Sequence, residues 1–241
     1  MAGFNSDRYS KGEFLKHKPT WDIEDTPWKA AKITGILRRY MPGIDAGFSV
    51  CDIGCGSGGV LRELRKTYPR AVLTGYDIAA DAEKFWKTPE NGNIEFVHAD
   101  FLKSNRKKYD LILITDVIEH VENPFEFLSG VSVRADNFIF YIPLDLSALS
   151  VAREKPILRA REETGHIHYF TKSIALKLLK ESGYDILGWE YSGASFSGPQ
   201  MTWKSLLAAI PRKLLRIFGR DMAVRLLGGE SLFVFARVLR R

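Results

Sequence analysis

Short apolar runs alternate with amphipathic stretches along most of the chain, and their two periods separate strands from helices. Residues 48–53, 71–76, 94–98, 109–114, 137–142, 184–191 and 231–239 read as strands. The fourth, Tyr109-Asp-Leu-Ile-Leu-Ile114, is almost unbroken in its apolar character, as expected of a central strand covered on both faces. Helical spacing joins Trp28, Ala31, Lys32, Gly35, Ile36 and Arg39, with Asp25 or Thr26 as the cap, Pro27 in the first turn and Met41-Pro42-Gly43 as the stop. It also joins Val60, Leu61 and Leu64, recurs over 125–131, and continues from a Thr171 cap to about Ser182. Asp77 is a candidate cap for a helix over 78–84. Alternating strands and helices with a closing hairpin pair predict an α/β fold, a doubly wound sheet of seven mostly parallel strands.

Outside this frame lie a polar N-terminal segment over 1–27, an insertion over 144–165 and a second over 192–230. The first carries Phe4, Tyr9, Phe14 and Trp21 and reads as a flap whose aromatics close over a ligand; residues 28–241 form the domain. The insertion over 144–165 is rich in Arg and Glu, reads as irregular, and follows the carboxyl end of a strand, where open α/β sheets build substrate pockets. Within the later one, residues 203–218 interleave Lys and Arg with Leu, Ile and Phe as a helical insertion before the last strand, suited to a lid or to peripheral membrane contact.

The length of 241 residues fits one α/β domain, and 45% hydrophobic with 27% charged residues excludes disordered and fibrous classes. A formal net charge of +6 is compatible with a solvated basic surface or with anionic partners. Cys51 and Cys55 are the only cysteines, too few for a disulfide framework, and no signal-peptide core or run of about eighteen apolar residues is present. The expectation is a soluble, cytoplasmic protein. No internal repeat appears.

The chemistry concentrates where the 48–53 strand breaks into Gly54, Gly56, Gly58 and Gly59. These permit positive φ and the approach of a bulky ligand to bare backbone, with helix N–H groups pointing into the turn. Gly54, Gly56 and Gly59 satisfy G-x-G-x-x-G, which two cofactor classes share. Asp52 beside the turn repels a pyrophosphate and suits a cationic ligand. Asp77 ends the next strand roughly twenty residues on, the place of a carboxylate that grips a ribose diol.

Asp52-Ile-Gly-Cys-Gly-Ser-Gly58 resembles the first motif of class I S-adenosylmethionine-dependent methyltransferases, and Thr115-Asp-Val-Ile-Glu-His-Val-Glu-Asn-Pro124 the fourth, with the Glu-His pair of ubiquinone-biosynthesis-like members. His166-Ile-His-Tyr-Phe-Thr171 also recurs in that superfamily, and the resemblance spans about residues 28–191. It implies S-adenosylmethionine as cofactor, held by Asp52, Gly54, Cys55, Gly56, Asp77 and Ile78, with Asp100 and Phe101 at the adenine and Thr115 near the methyl. It implies methyl transfer to an oxygen or nitrogen of a small-molecule, glycan or lipid-linked acceptor. Nucleic acid is disfavoured, because Asn/Asp-Pro-Pro-Tyr/Phe does not follow the fourth strand. Two rivals stand beside it. A nicotinamide-dependent oxidoreductase lacks any Tyr-x-x-x-Lys pair here, and a noncatalytic cofactor-binding module would have no use for a complete cradle.

Asp116, Glu119 and His120 fall at i, i+3 and i+4, one face of a helical turn at the end of the central strand. Three readings compete: His120 as general base oriented by Glu119 or Asp116, a Mg²⁺ site formed by the trio, and a structural pair. His166 and His168 project to one side of an extended segment, where hydrogen bonding by His168 competes with metal binding. Lys29 or Lys32 could meet the cofactor's carboxylate, against the simpler reading of a solvated lysine.

Overall fold

The computed structural model describes residues 19–21, 23–44, 47–193, 213, 215, 217 and 219–239. Seven strands form one sheet in the order β3-β2-β1-β4-β5-β7-β6. They are β1 (Ser49–Ile53), β2 (Val72–Asp77), β3 (Glu95–His98), β4 (Tyr109–Thr115), β5 (Ala135–Pro143), β6 (Tyr184–Tyr191) and β7 (Ser231–Val238). The first five run parallel, and β7 inserts antiparallel between β5 and β6. Among the described residues the α-helices are α1 (Thr26–Tyr40), α2 (Gly59–Thr67), α3 (Phe101–Ser104), α4 (Pro124–Ser132), α5 (Ala148–Arg153), α6 (Lys155–Arg159), α7 (Lys172–Glu181) and α8 (Arg220–Leu227). The seven-stranded, doubly wound expectation holds.

β4 shows how sequence becomes layers. Ile112 and Ile114 belong to one apolar cluster, Leu111 and Leu113 to the other, and all four are inaccessible to solvent. A strand whose successive side chains face opposite layers must be apolar at every position to fill both. On one side Ile33 and Leu37 of α1 and Leu61 and Leu64 of α2 cover it; on the other, Leu128 and Val131 of α4 and Leu179 of α7 do so. Fully burying each such aliphatic side chain contributes about 1.5–3 kcal/mol. Thr171 caps α7 as expected, its side chain accepting from Ile174 N.

Three expectations are corrected. The 144–165 insertion is largely helical, formed by α5, α6 and a π-turn over Ala160–Thr164, with Ser147 and Ser150 making a reciprocal capping box. Asp77 does not cap a helix over 78–84: a 3₁₀ segment starts at Ala80, after Ala79. Asp116 is not on a helical turn with Glu119 and His120. It takes a left-handed φ of +54°, which an aspartate tolerates better than most side chains, and only then does a 3₁₀ turn over Ile118–His120 begin. Phe4, Tyr9 and Phe14 lie outside the described residues, as does the 203–218 stretch except at 213, 215 and 217. Among the described residues no helix is long and apolar enough to cross a membrane.

Candidate active site

A cavity of about 850 Å³ opens at the carboxyl ends of β1, β2, β4 and β5, the edge where loops of a parallel sheet converge. Asp52, Gly54, Cys55, Gly56, Asp77, Ile78, Asp100, Phe101, Thr115 and His120 all line it. The sequence reading thus names one wall of a single pocket.

At one end the glycine turn is stapled to β2. Gly54 N and Cys55 N both donate to Tyr76 O, at 2.8 and 3.0 Å. The two oxygens of Asp77 accept from Gly56 N at 2.7 Å and Ala79 N at 2.8 Å, and Trp86 Nε1 donates to Gly56 O at 2.8 Å. Each carboxylate oxygen of Asp77 keeps a lone pair for a ligand hydroxyl. Gly54 (φ +73°) is pressed against Val117, whose Cγ2 would lie 2.5 Å from an added Cβ. Gly56 (φ +51°) lies under the indole of Trp21, which a Cβ there would strike. Trp21, which packs edge-on against Phe85, covers the turn.

Asp52 is 1% exposed and its Oδ1 has no hydrogen-bond partner. Burial, reinforced by the charges of Asp77 and Asp116 and opposed by Lys29, pushes its pKa up to about 8. A carboxylate so placed is incomplete until a cation or hydrogen-bond donor arrives. Burial likewise pushes Asp77 upward, against the pull of its backbone donors. The same burial raises both thiols: Cys51 lies in the core and Cys55 on the cavity wall, each free and enclosed. Asp100 Oδ1 caps α3 through Leu102 N at 2.9 Å, and Oδ2 sits 3.2 Å from Lys103 Nζ. Phe101 packs edge-on against Tyr76 at 5.2 Å and is mostly core.

The other end is assembled from distant segments. Lys29 of α1 pairs with Asp116 Oδ2 at 2.5 Å and lies over the Tyr141 ring at 5.0 Å. Burial works against this ammonium, but Asp116, Tyr141 and Asp25 together outweigh it and the pKa rises. The solvated-lysine reading is therefore corrected for Lys29, a part-buried ion-pair member on the cavity wall. Lys32 faces away, 3.8 Å from Glu190.

Residues 165–168 run beside the turn after β4. Ile167 N and His168 N donate to Glu119 O at 2.8 and 3.1 Å, and His168 Nε2 meets Val121 O at 2.8 Å, the hydrogen-bonding role expected of it. His166 lines the cavity, with Nδ1 2.7 Å from Asp145 Oδ2. His120 Nδ1 meets Gly165 O at 3.1 Å, and the two imidazoles stand edge to face at 4.9 Å. Glu119 lies behind them, fully buried, with neither side-chain oxygen hydrogen-bonded; burial and the neighbouring Asp116 hold its carboxyl well above the usual range. Sequence reasoning missed the roles of Lys29, Asp145 and Tyr141. The only signal was that insertions after β5 tend to reach this edge.

A family model described as a methyltransferase domain matches residues 28–188. The chain belongs to the methyltransferase domain family. Among curated relatives, N-methyltransferase 4 of Papaver somniferum is 31% identical over 117 residues, 44% of this chain and 33% of that protein. The ubiquinone biosynthesis O-methyltransferase of Glaesserella parasuis is 29% identical over 160 residues, 60% of this chain and 67% of that one. The match to the poppy methyltransferase thus spans only a third of its length. Among solved structures, the plantazolicin methyltransferase in complex with a pentazolic analogue and SAH aligns with a TM-score of 0.64 at 21% identity, covering 98% of this chain and 95% of that one. That likeness establishes a shared methyltransferase fold.

Proposed function

We propose that this methyltransferase moves a methyl group from S-adenosylmethionine to an oxygen or nitrogen of a small-molecule acceptor. The observation that carries the reading is Asp52, a buried acid with an unpartnered oxygen, on the wall of a cavity beside bare glycine backbone. S-adenosylmethionine carries an ammonium and a sulfonium, and supplies a methyl group on a good leaving group; a pyrophosphate cofactor would put negative charge against this carboxylate. Asp77 is placed to accept from a ribose diol while holding Gly56 in position. Asp100 and Phe101 line the same wall and serve the adenine side, Asp100 keeping a side-chain oxygen near Lys103.

The chain's own work is alignment and exclusion of water, the main source of rate in a direct displacement. When the methyl passes to an acceptor oxygen, the carbon–sulfur bond breaks as the carbon–oxygen bond forms, and the acceptor proton must leave. Glu119, His120 and His166 stand at the end where that proton departs, and His120 or His166 can receive it at Nε2. Glycan and lipid-linked acceptors remain within reach of so open a pocket.

The test pairs a thermal-shift comparison of S-adenosylmethionine with NAD and a screen of phenols, amines, sugars and lipid-linked compounds using labelled methyl donor. Stabilisation by S-adenosylmethionine and label in one acceptor class are expected. Stabilisation by NAD alone would overturn the assignment.

A further inference from the structure

We propose that Glu119, His120 and His166 bind one divalent transition metal ion of the zinc, cobalt or iron type, with open positions facing the acceptor side of the cavity. The inference deepens the methyl-transfer reading and rests on it only for what occupies those open positions.

Both histidines are prepared as ligands. Nδ1 of His120 lies 3.1 Å from the carbonyl of Gly165, and Nδ1 of His166 lies 2.7 Å from a carboxylate oxygen of Asp145. An acceptor at Nδ1 places the ring proton there and leaves Nε2 as a lone pair, the arrangement by which metal-ligating imidazoles are oriented. The two Nε2 atoms converge on the same oxygen, Glu119 Oε1, at 3.9 and 4.0 Å. At that separation neither makes a hydrogen bond to it. All three ligand atoms lie within 4.8 Å of one another, against an edge of roughly 3.3 Å in a tetrahedral site with bonds of about 2.0 Å. Side-chain shifts of about 0.5–1 Å in each ligand would close it.

Glu119 supplies the second, independent sign. It is fully buried, and neither of its side-chain oxygens has a hydrogen-bond partner. The Glu119 carboxyl shares no hydrogen bond with either imidazole; a divalent ion at the centre would take all three as ligands and hold the carboxyl ionised. Donor chemistry selects the ion. Two imidazoles and one carboxylate favour zinc, cobalt or iron over Mg²⁺, which prefers oxygen ligands and retained water. The Mg²⁺ trio expected from sequence also loses Asp116, which is committed to Lys29. His120 and His166 line the cavity whereas Glu119 stands behind them, so the unfilled positions look into the pocket. An acceptor hydroxyl bound there ionises more readily, its proton passing to solvent, and enters the displacement as an oxyanion. Both Nε2 atoms are then ligands rather than bases.

The experiment starts from the full chain stripped with chelator and titrated with Zn²⁺ by calorimetry and with Co²⁺ by visible absorption, with and without S-adenosylmethionine. One equivalent is expected to bind, and Co²⁺ should show d–d bands of a low-coordinate nitrogen–oxygen site that change when an acceptor is added. His166→Gln should abolish stoichiometric binding. Asp145→Asn leaves the three ligands in place and should weaken it roughly 10–100-fold by loosening the orientation of His166. Circular dichroism checks that both variants fold. Absence of stoichiometric binding to the wild type, or binding unaltered in His166→Gln, would overturn the proposal. S-adenosylmethionine affinity, read in the same calorimeter without metal, keeps the two readings apart: cofactor binding without metal binding defeats the site alone.

Discussion

The two ends of the cavity are built by opposite means. At the glycine end, position is set by backbone: the turn hangs from Tyr76 O by two amides and from Asp77 by a third. Three of the hydrogen bonds there join one contiguous turn to the tip of the neighbouring strand, and Trp86 Nε1 adds one from outside. At the histidine end, position is set by side chains from α1, the turn after β4, the start of the 144–165 insertion and the segment before α7, each held by one or two hydrogen bonds. A backbone-defined site tolerates drift in its neighbours and keeps one ligand. A side-chain-defined site can be rebuilt by a few substitutions, and suits the partner that varies among enzymes sharing a cofactor.

Substitutions at the two ends should therefore separate cofactor affinity from turnover. The largest effect is expected from Gly54→Val, because Gly54 meets Val117 where the two ends touch and its φ is +73°. Strain of order 1–3 kcal/mol plus the collision should abolish cofactor binding and lower the melting temperature. Calorimetry showing wild-type affinity would mean that the turn is far softer than drawn. Next comes His120→Ala, for which turnover should fall about a hundredfold while cofactor affinity stays within about twofold. A mutant that melts earlier yet keeps its turnover would make His120 a structural residue.

Asp52→Asn is the smallest and the most diagnostic. Cofactor affinity should fall by about tenfold, the order of one charged hydrogen bond. The pH dependence follows from the rise of the Asp52 pKa from 3.8 to about 8 in the folded, ligand-free protein. Between those values the folded state holds more protons than the unfolded one, so this group's contribution to stability is undiminished below 3.8, declines as pH rises, and reaches its full penalty above about 8. The Asn variant lacks that slope and should gain on the wild type, without ligand, as pH is raised from 6 to 9. A ligand cation reverses the shift, so binding near pH 7 should expel a proton from Asp52. Binding enthalpies of the wild type should vary with the ionisation heat of the buffer more steeply than those of the variant; equal slopes would remove Asp52 from the cation site.

The same contrast explains what could be read from residue order. β4 announced itself through an apolar run that only a doubly covered strand needs, and Asp52, the glycines and Asp77 through spacing that the turn itself imposes. Thr171 was legible because a cap acts on the backbone three residues away. Asp116 misled, since i, i+3, i+4 spacing presumes helical φ and the chain turns left-handed there. Lys29 looked like any helix-surface lysine, and its burial depends on Asp116, far along the chain. Asp145 and His166 are brought together by the helical path of the insertion between them, which local propensity did not disclose. Residues that act locally were legible; residues that act by meeting were not.

The two enclosed cysteines give the molecule a clock. Burial raises both thiols so far that almost no thiolate exists at neutral pH, and an alkylating reagent finds nothing to attack while the turn is closed. Any modification of Cys55 then counts moments when the glycine turn has lifted from β2, and modification of Cys51 counts the rarer openings of the sheet itself. The ratio of the two rates measures how far local breathing of the ligand cradle is uncoupled from the stability of the scaffold beneath it, with no residue having to be introduced.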